Sequence, residues 1–170
     1  MKKLFFLALL VLMLFASGAH AQQLKFGHIN TNELLAVMPG RDSAQVQLQN
    51  HARTLEETFA EMQTELQTKF QEYVANEATY SELIRQSRQR ELNNLQERVQ
   101  EFQELAQQDL AQMEQRLLAP IIQAARQAIE DVAKELGYTY VFDTATGAVI
   151  FFPPGDNLIQ PVKTRLGIIN

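Results

Sequence analysis

The side chains that most often carry chemistry in proteins are scarce in this sequence of 170 residues. It contains no cysteine and three histidines, of which His28 lies in an alternating segment and His51 in a long Gln- and Glu-rich segment. A metal site needs several such ligands close together, so one sheet histidine and one exposed helix histidine are the simpler interpretation. The GxSxG, HExxH and phosphate-binding glycine motifs are also missing. We therefore predict no catalytic, cofactor-binding or metal site, and a protein that is not an enzyme.

An apolar pattern that is mirrored about Thr79 indicates the main secondary structure of the chain. On each side of this point apolar residues recur at alternating steps of three and four, which is typical of the seam of a coiled coil. The mirrored pairs are Leu66 and Leu92, Met62 and Leu95, Phe59 and Val99, Leu55 and Phe102, Ala52 and Ala106, Leu48 and Leu110, and Ala44 and Met113. Pro39 and Pro120 also match, and proline disfavours a helix interior. The pattern predicts an antiparallel helical hairpin with its tip near residues 76–81 and its root at the two prolines.

The segments outside the hairpin have the patterns of a small sheet with helices. Residues 24–30 alternate with a period of two and predict a strand, after which a short helix should end at Met38. Pro120 should begin a separate apolar helix. Two further strands, residues 138–143 and 148–152, are expected to form a β-hairpin. The predicted fold class is α+β and mostly α, and its small sheet needs cover from other copies of the chain because three short strands are marginal alone.

The N-terminal segment has the pattern of a secretory signal peptide. Lys2 and Lys3 precede an unbroken apolar run over residues 4–15, and the small-residue sequence Ala19-His20-Ala21 follows. We expect cleavage after Ala21 and export. Loss of the two lysines leaves 13 basic against 20 acidic residues, so the net charge changes from −5 to −7. Such a charge argues against nucleic acid as a partner.

The order of these segments resembles the Skp/OmpH-like family of periplasmic chaperones for outer-membrane proteins. The resemblance rests on the strand LKFGHIN followed by TNELLAVMP, on the hairpin segment RELNNLQERVQEFQ and on the ending PIIQAARQAIEDVAKELGYTYVFD. It implies a jellyfish-like trimer whose β-sheet body bears helical arms around a cavity, and which holds unfolded outer-membrane β-barrel precursors without ATP. The best-known members are strongly basic, whereas this chain is acidic, so binding to membranes or lipopolysaccharide is not carried over.

The sequence patterns and the resemblance together divide the chain into a signal peptide (residues 1–21), a trimerisation body (22–40 and 120–170) and arms (41–119). Apolar residues off the main seam or near the tip are the candidate contacts to an unfolded client: Val46, Phe70, Val74, Tyr80, Leu83 and Leu105. The candidate trimer interface lies in the body and comprises Phe26, Ile121, Ile122, Ile129, Val132, Tyr140 and Phe142. Near the tip, Arg85, Arg88 and Arg90 could bind an acidic partner, although simple solvation of the tip is the favoured interpretation.

A purely structural coiled coil is the alternative function. A stalk or spacer of the cell envelope would also be rich in Gln, Glu and heptad apolar residues. It would not, however, need a hairpin that returns to a sheet. The hairpin of an efflux adaptor is a third possibility, but the flanks of this hairpin are too short for the lipoyl-like β segments of such a protein.

Overall fold

The computed structural model describes residues 24–169, so the predicted signal peptide lies outside the described residues. The described elements, in chain order, are β1 (Phe26–Ile29), α1 (Thr31–Ala36), α2 (Arg41–Asn76), a short 3-10 turn (Glu77–Thr79), α3 (Glu82–Glu135), β2 (Tyr140–Asp143) and α4 (Ile159–Arg165). Two long helices make up most of the chain and the sheet is small. The predicted α+β, mostly α class is confirmed.

Helices α2 and α3 form the antiparallel hairpin, and the chain reverses between them at Glu77–Thr79, inside the range expected for the tip. Every residue of the mirrored set is buried or half-buried, which confirms the predicted seam. Two polar contacts cross between the helices. Lys69 Nζ lies 3.5 Å from Glu91 Oε1, and His51 Nε2 lies 2.5 Å from Asp109 Oδ2. Together they hold opposing levels of the two helices in register.

Local sequence signals account for where the long helices begin. Gly40 precedes α2 with a φ of 85°, a left-handed conformation that glycine adopts without steric cost. At the tip, the hydroxyl of Ser81 accepts a hydrogen bond from the backbone N–H of Ile84 and caps α3. Both long helices therefore begin next to residues that are suited to a helix start.

The prediction that Pro120 begins a separate helix is wrong, because α3 continues unbroken through it from Glu82 to Glu135. A proline removes one backbone hydrogen bond and bends a helix, but packing on both sides can keep the helix continuous. Just before Pro120, Leu117 is half-buried at the root of the hairpin. Just after it, Ala125 and Ala128 are buried in the core. One helix thus joins the arm to the body.

The sheet consists of two parallel strands, with Phe26 opposite Tyr140 and Ile29 opposite Asp143. Parallel strands need a long crossover connection, and the whole hairpin provides it. The expected strand over residues 148–152 does not form, so the prediction of a β-hairpin is wrong. The free edge of β1 is already occupied by the chain around Asp156, whose carbonyl accepts the His28 N–H at 3.0 Å. Residues 148–152 thus find no partner at β1.

The hydrophobic core lies at the root, where β1, α1, the C-terminal part of α3 and α4 meet. Its most buried side chains are Ile29, Leu34, Leu158 and Val162. Gly27 permits this packing, because a Cβ at that position would lie 2.6 Å from Leu158 Cδ1. The core is therefore built from segments at both ends of the described chain.

Candidate functional site

The paired helices that project beyond the core are the candidate site. None of the described hydrophobic residues between Met38 and Ile121 belongs to the hydrophobic core at the root or packs against it. The 36 residues of α2 extend about 54 Å at 1.5 Å per residue. The hairpin therefore gains its packing from its own seam, and most of its remaining surface is open.

The two sides of the hairpin differ in charge. One side carries an open groove of about 680 Å³, which we call the amide groove. Its apolar and aromatic residues are Leu66, Phe70, Tyr73, Leu92 and Val99, and its rim consists of Gln63, Gln67, Gln89, Asn93 and Gln96. The opposite side is lined by Glu65, Ser87, Arg90, Glu91, Asn94, Leu95 and Arg98. Formal charge is thus confined to one of these two surfaces.

The candidate client contacts are distributed over both sides. Phe70 lines the amide groove, and Phe70 and Val74 are each 56% exposed. Val46 is exposed and lies four heptads from Val74, which places it on the same side of α2. Leu105 is exposed as well, but it lies one heptad from Arg98 and therefore on the charged side. The structure brings Phe70 and Val74 together and leaves Leu105 apart from them.

The tip holds an aromatic pair that restricts Tyr80. The rings of Tyr73 and Tyr80 lie 6.2 Å apart, and Tyr73 is buried. The Tyr73 hydroxyl donates a hydrogen bond to Glu77 Oε1 at 3.0 Å. Desolvation, followed by this hydrogen bond to a carboxylate, raises the pKa of Tyr73. Leu83 is exposed beside the tip, so it is the more accessible of the two tip candidates.

Two of the three arginines near the tip are paired with acidic residues. Arg88 Nη1 lies 2.7 Å from Glu91 Oε2, and Arg85 Nη1 lies 3.6 Å from Glu82 Oε2. The hydrogen bond from Arg88 lowers the pKa of Glu91 despite partial desolvation. The guanidinium charges of Arg85 and Arg88 are therefore balanced within the hairpin.

The body carries an aromatic patch on its sheet. The ring of Phe26 stacks on Tyr140 at 5.8 Å and on Phe142 at 6.1 Å between centroids. All three side chains remain about half exposed, and Ile122 is exposed too. These four of the seven candidate interface residues have surface available for another chain.

The other candidate interface residues belong to the core of their own chain. Val132 is only 4% exposed in the single chain, which leaves little of its side chain available to another chain. Ile121 and Ile129 are partly buried and pack against the same core. The helical spacing of these residues indicated an apolar face correctly, but spacing alone does not say whether α1 and α4 or a second chain covers that face.

Sequence reasoning assigned two of the most exposed apolar residues of the body to a strand and left them out of the candidate interface. Ile150 is 98% exposed and Phe151 is 84% exposed. Phe152 is less exposed, at 42%, and its ring lies 4.4 Å from the ring of buried His28. This contact covers part of the His28 ring.

The described residues show no arrangement suited to metal chemistry. Residues 24–169 contain no group of three or more His, Cys, Asp or Glu side chains placed to bind a metal ion. Within the same range, no helix combines the length and apolar character needed to span a bilayer.

Comparison with known proteins gives a consistent result over nearly the whole chain. Residues 25–166 match the family described as outer membrane protein (OmpH-like). Relatives named chaperone protein Skp, from Photorhabdus luminescens and Photorhabdus laumondii subsp. laumondii, are each 27% identical over 156 residues, which is 92% of this chain and 93% of theirs. The fold is similar to that of an OmpH-like protein from Caulobacter crescentus known from a crystal structure, with a TM-score of 0.73, 16% identity and 88% of each chain covered.

Proposed function

The chain belongs to the OmpH-like family of outer membrane proteins, and on this premise we propose that it is an ATP-independent holdase. It binds unfolded outer-membrane β-barrel precursors between its arms and prevents their aggregation. The relatives from Photorhabdus are named as chaperones, which supports a binding function rather than an enzymatic one.

The observation that carries this proposal is the open surface of the arms. A helical hairpin that packs only along its seam leaves apolar side chains such as Phe70 and Val74 in contact with water. Exposed apolar patches on a soluble surface commonly mark binding sites. An unfolded precursor exposes apolar side chains of its own, and their burial against the arm removes both from water.

Passive binding follows from the chemistry that the arms offer. Their surface consists mainly of amides, carboxylates and scattered apolar groups, which provide weak contacts over a long distance. Several weak contacts to one flexible chain give high overall affinity through their effective concentration, although each contact exchanges readily. Such binding requires neither a nucleotide nor a single recognition sequence in the client.

The arms need a rigid base, and we propose that the body supplies it as a homotrimer. The body comprises residues 22–40 and 120–170, and the arms comprise residues 41–119. The aromatic patch of Phe26, Tyr140 and Phe142 is the part of the body with the most suitable exposed surface. Three hairpins rising from one base would enclose a cavity that a precursor enters.

The proposed location is the periplasm. Residues 1–21 support it, because they have the pattern of a signal peptide that would be cleaved after Ala21. The acidic charge of the exported chain, −7, also bears on its partners. Anionic lipid surfaces attract basic segments, so direct binding to membranes or lipopolysaccharide is not part of this proposal.

An aggregation assay without nucleotide tests the proposed function. A urea-unfolded β-barrel precursor is diluted into buffer with the exported chain, and light scattering reports aggregation. We expect suppression near equimolar ratios of trimer to precursor, with no change on adding ATP. An unrelated helical protein at the same mass concentration is the control. A structural stalk or spacer would leave the scattering at the control level, and that result would favour the alternative function.

A further inference from the structure

We propose that the amide groove binds one extended segment of unfolded polypeptide through the backbone of that segment. This inference rests on the proposed holdase function and adds to it the face of the arm and the mode of recognition. Three observations support it: the lack of charge in the groove, the chemistry of its rim, and the length of the row of amides on α3 that continues it.

The lack of charge continues along this face of α3 from Gln86 to Gln107, and the row ends at Glu82 and Glu114, which occupy the same heptad positions. Amide residues recur there at alternating steps of three and four: Gln86, Gln89, Asn93, Gln96, Gln100, Gln103 and Gln107. This spacing places them on a single face of the helix, and the groove lining includes three of them. Across the groove, α2 contributes Gln63 and Gln67 to the same rim. The adjoining surface with Glu65, Arg90 and Arg98 shows that the arm carries charge elsewhere.

The chemistry of a carboxamide rim matches a peptide backbone. Each Gln or Asn side chain has an NH₂ donor and a carbonyl acceptor, and each residue of an unfolded chain presents a backbone N–H and C=O. A charged rim would select client segments of the opposite charge. A neutral rim makes no such selection, and backbone groups are the one feature that all unfolded client segments share.

The length of the amide row matches one strand of a β-barrel. From Gln86 to Gln107 the row extends about 32 Å at 1.5 Å per residue, and an extended chain covers that distance with about ten residues. Membrane-spanning β-strands have roughly 9–11 residues with apolar side chains at alternate positions. Such a segment can place apolar side chains against Phe70 and Val99 while its backbone faces the amides.

A peptide-binding measurement on the full exported chain tests this mode of recognition. The probe is a fluorescein-labelled, uncharged ten-residue peptide in which Val or Tyr alternates with Thr or Ser, and anisotropy gives its Kd. A groove variant carries Gln63→Ala, Gln89→Ala and Gln96→Ala. The matched control carries Gln71→Ala, Gln108→Ala and Gln115→Ala, three exposed positions that do not line the amide groove. Alanine favours a helix at least as well as glutamine does, so both variants should fold.

We expect the groove variant to bind the peptide roughly tenfold more weakly than the control variant, which should match the unsubstituted chain. A peptide of the same sequence with alternate backbone N–H groups methylated should also bind roughly tenfold more weakly to the unsubstituted chain, because it has lost donors. The groove variant should discriminate less between the two peptides. These fold-changes correspond to a few weak hydrogen bonds acting together.

Equal peptide affinity for the groove and control variants would overturn the proposal, as would indifference to backbone methylation or no binding by the unsubstituted chain. A change in oligomer mass confined to the groove variant, with peptide affinity retained, would also overturn it by assigning the groove to the arm of a second copy. The aggregation assay reads the holdase function separately. Suppression of aggregation without peptide binding at the groove would reject this inference and leave the proposed function standing.

Discussion

Asp143, the last residue of β2, accepts hydrogen bonds from both the hydroxyl and the backbone N–H of Thr31, the first residue of α1, at 2.7 and 3.2 Å. The two residues lie 112 positions apart in the sequence, with the whole hairpin between them. The contact therefore fastens the segment that enters the arms to the segment that leaves them.

The first prediction concerns the pH dependence of this contact. Burial raises the pKa of Asp143, but hydrogen bonds from the Thr31 hydroxyl and from the N–H groups of Ala145 and Thr31 outweigh it, and the net pKa is lowered. The ionised form thus stabilises the fold above the unfolded-state pKa of about 3.9, and this contribution is lost as the pH falls through the lower folded-state value. Asp143→Ala should reduce the free energy of unfolding by about 1–3 kcal/mol at pH 7.

Urea denaturation followed by circular dichroism at pH 7 and pH 3 measures the effect. The difference between Asp143→Ala and the unsubstituted chain should shrink at pH 3. Glu57→Ala, at an exposed position of α2, is the control and should change stability little at either pH. A deficit of equal size at both pH values would show that Asp143 acts by packing and not through its charge.

The second prediction concerns the register of the hairpin. Lys69 and Glu91 face each other across the two helices. Because the chain has no native cysteine, only introduced cysteines can react with a crosslinker. The pair Lys69→Cys and Glu91→Cys should crosslink within one subunit with a short bismaleimide. The pair Lys69→Cys and Asp109→Cys should not, because the two positions differ by about 27 Å along the helix. Gel mobility after denaturation distinguishes the products, and crosslinking of only the second pair would mean that the register is wrong.

The third prediction separates the proposed interface from the core. Phe142 is 45% exposed and Val132 is 4% exposed in the single chain. Phe142→Asp should therefore lower the mass in solution from trimer towards monomer while the helical content persists. Val132→Asp should reduce the cooperative unfolding transition of the body itself, because an unpaired charge in an apolar core costs several kcal/mol.

Light scattering and circular dichroism on both variants provide this comparison. A trimeric Phe142→Asp chain with unchanged stability would place the interface away from the aromatic patch. A stable, folded Val132→Asp chain would contradict the position of the core.

The hairpin could be predicted from the sequence because it depends on the spacing of residues that lie close together along the chain. Seam residues such as Phe59 and Val99 recur with the heptad period, and the reflection about Thr79 gives their pairing without knowledge of the rest of the fold. The candidate contacts Phe70 and Val74 followed from departures from that period. That these two residues lie on one side of the hairpin, and that the two sides differ in charge, could be found only from the relative rotation of the two helices in the structure.

The structure of the root was harder to predict, because it depends on contacts between residues that are distant in the sequence. Pro120 has the local character of a helix boundary, but the packing of Leu117 on one side and Ala125 on the other keeps α3 continuous. Residues 148–152 have a strand-like composition, but Asp156 takes the edge of β1 that a further strand would need. Competition for a single edge cannot be judged from the composition of either segment.

The central claim, that the arms hold the client, is tested most directly by shortening both arms together. Deleting residues 59–72 and 86–99 removes two heptads from each helix, retains the tip with Tyr73 and Tyr80, and leaves the aromatic patch and the core intact. Solution mass and helical content are measured first, and we expect the shortened chain to assemble as the full one does. In the aggregation assay with an unfolded β-barrel precursor and no nucleotide, it should need at least tenfold more protein for equal suppression, because weak contacts along the arm act together. If the assembled, shortened chain suppresses aggregation as well as the full chain, the arms do not hold the client and the account is contradicted.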